Sequence, residues 1–227
     1  MNSTRTEWGS ILYLLQHYGS EYVASYAVAL RIGVVSFFAA LVLATVLTVL
    51  RVSPIAPLRS VVSGYVEVFR NIPTLCLLIF IVFALPQVGV TLDYEPCVTV
   101  TLILVGSAFA CDNLRSGINS IDVGQIEAAR SLGLPFRHVM GSIVLPQALR
   151  AVVQPMTTLF ISLVISSSTG ALVPLAHVEL TGLVNKINDQ EALGIPTFIV
   201  AALFYVCTGL VIAGIGRFLE KKVVILR

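Results

Sequence analysis

Charged residues fall along this chain in blocks, and between the blocks lie five stretches with no Asp, Glu, Lys or Arg: residues 32–50, 71–92, 96–111, 151–178 and 192–216. A helix that crosses a bilayer needs about 20 apolar residues. The runs therefore predict five transmembrane helices, the third running past Asp112 into the polar segment that follows it. Within the second run Pro73 sits early in the helix or kinks it. The fourth run holds Pro155 and Pro174 and, between them, Ser166, Ser167, Ser168, Thr169 and Gly170. Small and hydroxyl residues at membrane depth serve either close helix packing or a broken helix that lines a pathway. Ahead of the first run, WGSILYLLQHYGSEY (residues 8–22) is amphipathic and aromatic. It reads as an outer interfacial segment, residues 1–24, or as the lead into the first helix.

The polar break between the third and fourth runs has its own pattern. Asp122, followed three residues later by Gln125, reads as a helix start of the capping-box type. Gly133 followed by Pro135 reads as a stop. The helix between them, roughly 15 Å long at 1.5 Å per residue, carries Ala128 and Ala129 as a slim face that suits insertion into a groove. Glu127 and Arg130 are neighbours on its surface. A second helix is predicted over residues 136–145, with Pro146 marking the turn into the fourth span.

Composition agrees with lipid as the main solvent. The chain is 57% hydrophobic and 11% charged, where a soluble domain carries about 25% charged residues. Basic residues mark the cytoplasmic loops of membrane proteins. Here they gather between the first and second runs (Arg51, Arg59, Arg70), between the third and fourth (Arg115, Arg130, Arg137, Arg150) and in the tail (Arg217, Lys221, Lys222, Arg227). The remaining loops are acidic: Asp93 and Glu95, then Glu179, Asp189 and Glu191. The N-terminus is therefore predicted outside and the C-terminus in the cytoplasm, in a multi-pass protein of the cell (inner) membrane. A cleaved signal peptide is not expected, because the first apolar run begins too far from the start.

The chemistry that is missing narrows the function. Cys76, Cys97, Cys111 and Cys207 show no metal-ligand spacing and read as small buried residues. A phosphate-binding loop ends in Gly-Lys-Ser/Thr, and none of the three lysines (Lys186, Lys221, Lys222) follows such a turn. The apolar runs carry no charge for a proton or sodium relay. This weighs against the alternative of an ion-coupled secondary transporter or small channel. A membrane-embedded enzyme would need catalytic groups clustered at one depth, and here they are scattered. No catalytic or metal site and no nucleic-acid partner is expected.

The motifs then point to a family. Glu127-Ala128-Ala129, Gly133, and Ile143-x-Leu145-Pro146 have the spacing of the EAA loop in the permease subunits of binding-protein-dependent ABC importers. YVEVFRNIP (65–73) is similar to the Tyr-Val-x-x-Phe-Arg-Gly-Thr-Pro signature of the polar amino-acid branch, which takes histidine, glutamine, arginine or glutamate. LRSGINSI (114–121) resembles its Phe-Arg-Gly-Gly-Ile-x-Ser-Ile. Gly124-Gln125, LPQAL (145–149) and Glu179-Leu180 also fit. RVSPIAPLR (51–59) and LRSGIN (114–119) look most like glutamate-type permeases of actinobacteria.

The resemblance implies a single membrane domain over residues 1–227 with the all-α fold of type I ABC importer permeases. It implies a non-catalytic subunit for uptake of a polar amino acid, glutamate favoured over glutamine, aspartate, arginine or histidine. Residues 120–146 would form the cytoplasmic loop docking on an ABC ATPase dimer, through Gly124, Glu127, Ala128, Ala129, Arg130, Gly133, Leu145 and Pro146. ATP and Mg would sit on those partners, with no cofactor in this chain. An extracytoplasmic amino-acid-binding protein would deliver solute, with Glu179 as a contact or as a brace for its own loop. Asn71, Pro73, Asp112, Asn113, Ser166, Ser167 and Ser168 are candidates for the substrate pathway. One departure stands out: where the family has a Lys followed by Asp or Asn in the fourth span, this chain has Ile165, Ser166, Ser167, Ser168 and Thr169. That absence favours a heterodimer with a second permease subunit that keeps the charges; a homodimer with a rebuilt site is the other possibility.

Overall fold

A computed structural model describes residues 7–175 and 177–223. Arg5, Arg227 and the first six residues of the predicted interfacial segment lie outside that range. Among the described residues all regular structure is helical. α1 (Glu7–Arg51) is one unbroken helix of 45 residues, about 67 Å long at 1.5 Å per residue. That is twice a hydrocarbon core of about 30 Å. The aromatic segment 8–22 is thus continuous with the first apolar run, with no break between them.

α2 (Ala56–Asn71) starts on Pro57, whose fixed φ suits the first helical turn. It ends where Ile72 and Pro73 take extended backbone, with ψ of 130° and 128°. Pro73 is therefore the cap of α3 (Thr74–Ile79), not a residue inside a helix. α3 runs on through a π-helical turn, Phe80–Ala84, and a 3-10 turn, Leu85–Val88. α4 (Tyr94–Asn119) extends past Asp112 as expected. After α5 (Val123–Ser131) and α6 (Phe136–His138), a π-helical turn, Val139–Val144, leads straight into α7 (Leu145–Ser166).

Pro146 therefore marks no turn, contrary to the expectation from sequence. A proline cannot supply an N–H to the preceding turn and crowds the carbonyl four residues back. Wider π turns stand just before both Pro86 and Pro146 and keep the chain helical there. α7 ends in a 3-10 turn, Ser167–Leu172, so the fourth run is broken at its serines. α8 (Leu180–Glu191) and α9 (Ile195–Val223) complete the chain. α8 buries Leu180, Leu183, Val184 and Ile187, a helical spacing within a polar stretch.

Among the described residues four helical runs are long and apolar enough to cross a membrane: Trp8–Arg51, Tyr94–Asn119, Phe136–Leu172 and Ile195–Lys222. The broken pair Ala56–Asn71 and Thr74–Val88 makes a fifth when counted as one span. The described chain divides into two compact units.

The first unit gathers residues up to 36, 73–102 and 161–210. In it Arg31 pairs with Glu95 at 2.7 Å and Ser36 donates to the Thr99 carbonyl, so α1 and α4 run in the same direction. Tyr22 reaches the Thr197 carbonyl and Tyr26 reaches Thr208, so α1 and α9 also run together. Ile161 lies by Gly209, while Glu179, which touches Tyr205, also lies against Gly170, so α7 runs against α9. Alternating directions of this kind belong to an odd number of crossings with the second span between α1 and α4. A core of Leu14, Tyr22, Ala29, Leu180, Leu183, Val184, Ile187, Val200 and Ala201 joins α1, α8 and α9. At Gly33 a Cβ would lie 2.7 Å from Val164 Cα, so only glycine admits α7 this close to α1.

The second unit gathers residues 37–72, 103–160 and 211–223. Thr48 and Tyr65 bond to α4 through Cys111, Leu104 and Ser107. Phe37 stacks on Phe160, and Gln154 donates to Glu220 at 2.6 Å. Cys97 and Cys111 are buried as expected, while Cys76 and Cys207 are exposed.

Candidate functional site: the interhelical loop, an ion-pair knot and a buried carboxylate

α5 begins as its sequence predicts. The Asp122 carboxylate accepts from the Gly124 N–H at 2.6 Å, satisfying one of the donors a helix start leaves open. The capping box itself does not form: the Asp122 side chain takes the second helical N–H, not the third, and the Gln125 side chain accepts from Gln147 on α7 at 2.8 Å. α5 ends at Gly133, whose φ of +77° lies in the left-handed region that glycine adopts without strain. The Gly133 N–H meets the Arg130 carbonyl at 3.0 Å and the Leu134 N–H meets the Ala129 carbonyl at 3.2 Å. This pair of bonds is a Schellman stop.

Ala128 and Ala129 do not share a role. Ala129 is buried with Ile121, Val139 and Val144, forming a small core that holds α5 on the turn before α7. Ala128 is exposed, as are Gly124, Glu127, Arg130, Gly133 and Leu145, while Pro146 is half-buried. The slim face expected from the sequence is therefore half consumed within the chain. The exposed part of the loop adds apolar residues that the motif does not mention: Val123 at 65%, Leu132 at 81% and Phe136 at 76% exposure. Exposed apolar residues this dense mark an interaction surface.

The pathway candidates separate into two places, each within one unit. In the second unit Asp112 is shared by two arginines, pairing through Oδ1 with Arg51 and through Oδ2 with Arg70. The Arg51 side chain is largely buried, at 9% exposure, while Arg70 is 42% exposed and also lies over the Phe109 ring at 5.3 Å. Arg70, Asp112, Asn113, Arg115, Ser116 and Asn119 line an open depression of about 480 Å³. Asn71 is turned back on its own helix, donating to the Glu67 carbonyl at 2.7 Å. The sequence reading named Asp112 but not its partner Arg51. Complementary charges closing two apolar runs were the available signal.

In the first unit Ser166 and Ser168 are partly exposed, but Ser167 is fully buried and donates to the Val164 carbonyl at 2.7 Å. Its hydroxyl is spent inside its own chain, so it is not a lining residue. Glu179 is 1% exposed and so is not a contact for a partner. It caps α8: Oε1 accepts from the Gly182 N–H at 2.7 Å, and Oε2 accepts from Tyr205 Oη at 3.2 Å. Burial raises its pKa, and the hydrogen bonds from Thr181, Gly182, Tyr205 and Leu180 pull it back in part. Among the described residues no group of three or more His, Cys, Asp or Glu could hold a metal ion.

Three comparisons bear on this geometry. Residues 36–225 match the family described as binding-protein-dependent transport system inner membrane component. The probable glutamine ABC transporter permease protein GlnP of Bacillus subtilis (strain 168) is 38% identical over 192 residues, 83% of this chain and 85% of that protein. The glutamate transport system permease protein GluC of Corynebacterium efficiens is 33% identical over 218 residues, 91% and 96% of the two chains. A solved amino acid ABC transporter with histidines has the same fold, with a TM-score of 0.87 at 24% identity, covering 93% of this chain and 98% of that one. A loop built from an EAA helix, a helical membrane fold and matches along most of its length agree: the chain belongs to the binding-protein-dependent transport system inner membrane component family, as a non-catalytic permease subunit of a polar amino-acid ABC importer in the cell membrane.

Proposed function

We propose that this permease forms, with a second permease subunit, the path by which glutamate is driven into the cell by a separate ABC ATPase dimer. One observation carries the reading. α5 is capped, stopped and held on a core of its own, so that Ala128, Val123, Leu132 and Phe136 stand exposed on a rigid short lever. Such a lever transmits force, where a flexible loop would absorb it. The basic loops place it in the cytoplasm, the N-terminus outside and the C-terminus inside. ATP and Mg belong to the ATPase subunits, and this chain carries no cofactor.

A binding protein delivers solute to the side of Asp93, Asp189 and Glu191. The loss of the charged pair near Ser166–Thr169 favours a heterodimer. The wording of residues 51–59 and 114–119 and the likeness to a glutamate permease favour glutamate, and the likeness to a glutamine permease makes glutamine the competitor to test.

The test is reconstitution of the chain with its ATP-binding subunit, a sister permease and the solute receptor in vesicles. Labelled glutamate should accumulate only with ATP and all components, and excess glutamine should compete weakly. Uptake by this chain alone overturns the reading. Full competition by glutamine moves the substrate and leaves the mechanism in place.

A further inference from the structure

The knot around Asp112 is lopsided, and the imbalance has a direction. Arg51 is largely buried and gives Asp112 one terminal nitrogen, while its Nε is buried with no hydrogen-bond partner. A buried donor left open is unfavourable, because it has lost its water and gained no partner. Arg70, by contrast, is half in solvent and keeps a second partner, the Phe109 ring. One carboxylate oxygen serves each arginine.

We propose that Asp112 is a positioning residue for transport that exchanges between two arrangements. In the arrangement seen here it bridges Arg51 and Arg70, tying the last turn of α2 to α4 and to the end of α1. In the other, Arg70 withdraws to solvent and Phe109. Asp112 then leaves Nη1 and sets its two oxygens on Nε and Nη2, the other edge of the same guanidinium, as a side-on fork. Charge accounting makes the exchange cheap: Asp112 and Arg51 remain a neutral pair throughout, and the cation released is the one already exposed. The orphaned Nε gains a partner as the Arg70 contact is lost. Two arrangements of nearly equal energy are what an element biased by a partner requires. The last turn of α2 is thereby held or released beside the polar depression. The importance of this exchange for uptake rests on the transport reading above, but the exchange itself does not.

The full importer in lipid nanodiscs, with Cys76→Ser and Cys207→Ser, carries spin labels at Val68 on α2 and Asn119 on α4. The wild-type knot should give two distance populations whose ratio changes on adding ATP. Arg51→Lys keeps the charge but removes Nε and the fork, so it should collapse the distances to the bridged population. In the same variant reconstituted into vesicles, uptake should then fall roughly tenfold in kcat, as for one charge-assisted hydrogen bond, with KM and the thermal midpoint unchanged. Arg70→Gln should collapse the distances to the released population. A single wild-type population, or Arg51→Lys matching wild type in distances and kcat, overturns the proposal. If no solute moves and two populations persist, the transport reading falls and the switch stands.

Discussion

The phenol of Tyr205 on α9 donates to Oε2 of Glu179 at 3.2 Å, while Oε1 of the same carboxylate caps α8 on the Gly182 N–H at 2.7 Å. One buried group thus fastens α8 to α9. Ser167, at the broken end of the fourth span, lies beside the same phenol.

This bracing carries a pH signature. Burial holds the Glu179 carboxyl above the usual range in the folded chain, while the unfolded chain titrates near 4.3. The unfolded state therefore loses its proton first. The stabilising contribution is fully present below about pH 4.3 and declines as pH rises through the folded pKa. The thermal midpoint of the purified subunit complex should fall over that window, and Glu179→Gln should flatten the fall. Tyr205→Phe removes a bond that lowers the pKa and should extend the fall to higher pH. A wild-type profile no steeper than that of Glu179→Gln contradicts this account.

Ala128 and Ala129, adjacent in sequence, should respond oppositely to enlargement. Ala129→Leu overfills the core with Ile121, Val139 and Val144 and should cost roughly 1–3 kcal/mol of stability. Ala128→Leu lies on the exposed face and should leave the unfolding midpoint unmoved while weakening association with the ATPase. Calorimetry and pull-down on the two variants separate the effects. Equal destabilisation by both would mean that the loop core is wrongly assigned.

Gly133 holds the angle between α5 and α6. Gly133→Ala must adopt φ near +77° with a Cβ, a cost of about 1–2 kcal/mol. Gly133→Pro is excluded from that φ and also loses the N–H bonded to Arg130. Solute-stimulated ATPase should drop partly in the first variant and vanish in the second, with basal ATPase of the motor subunits retained. Normal stimulation in Gly133→Pro would remove this turn from the coupling path.

The exposed Phe136, at 76%, is the largest apolar side chain on the same lever. A buried aromatic anchor at an interface is worth about 2 kcal/mol or more. Phe136→Ala should therefore weaken binding to the ATPase subunit at least tenfold, as titration of the purified partners would show. Unchanged affinity would place the docking surface elsewhere.

Much of this was legible before the structure. Charge-free runs locate spans because lipid excludes charge, and the Asp122 and Gly133 signals are local chemistry that acts wherever the chain goes. What stayed hidden depends on neighbours far along the chain. Ala128 and Ala129 are the same residue type, and only the position of Val139 decides which one is buried. Glu179 in an acidic loop reads as a surface charge until Tyr205, 26 positions on, supplies its partner. Pro146 reads as a turn because a proline breaks an α-helix, and the π turn that absorbs it has no strong local signature. Arg51 and Arg70 read as basic residues that mark a cytoplasmic loop, since the sequence does not show that both converge on Asp112.

The three consecutive serines allow a last separation of structure from transport. Ser167 is fully buried and spends its hydroxyl on the Val164 carbonyl. Ser167→Ala should cost about 1 kcal/mol, the net value of one hydrogen bond, and leave KM for uptake unchanged. Ser166 and Ser168 keep part of their surface exposed, and neither donates to the bond that holds the 3-10 turn to Val164. If the break presents them to passing solute, Ser166→Val and Ser168→Val should raise KM without moving the thermal midpoint. Uptake kinetics paired with unfolding curves for the three variants decide the matter. A KM change confined to Ser167→Ala would transfer the pathway to the buried side of the turn.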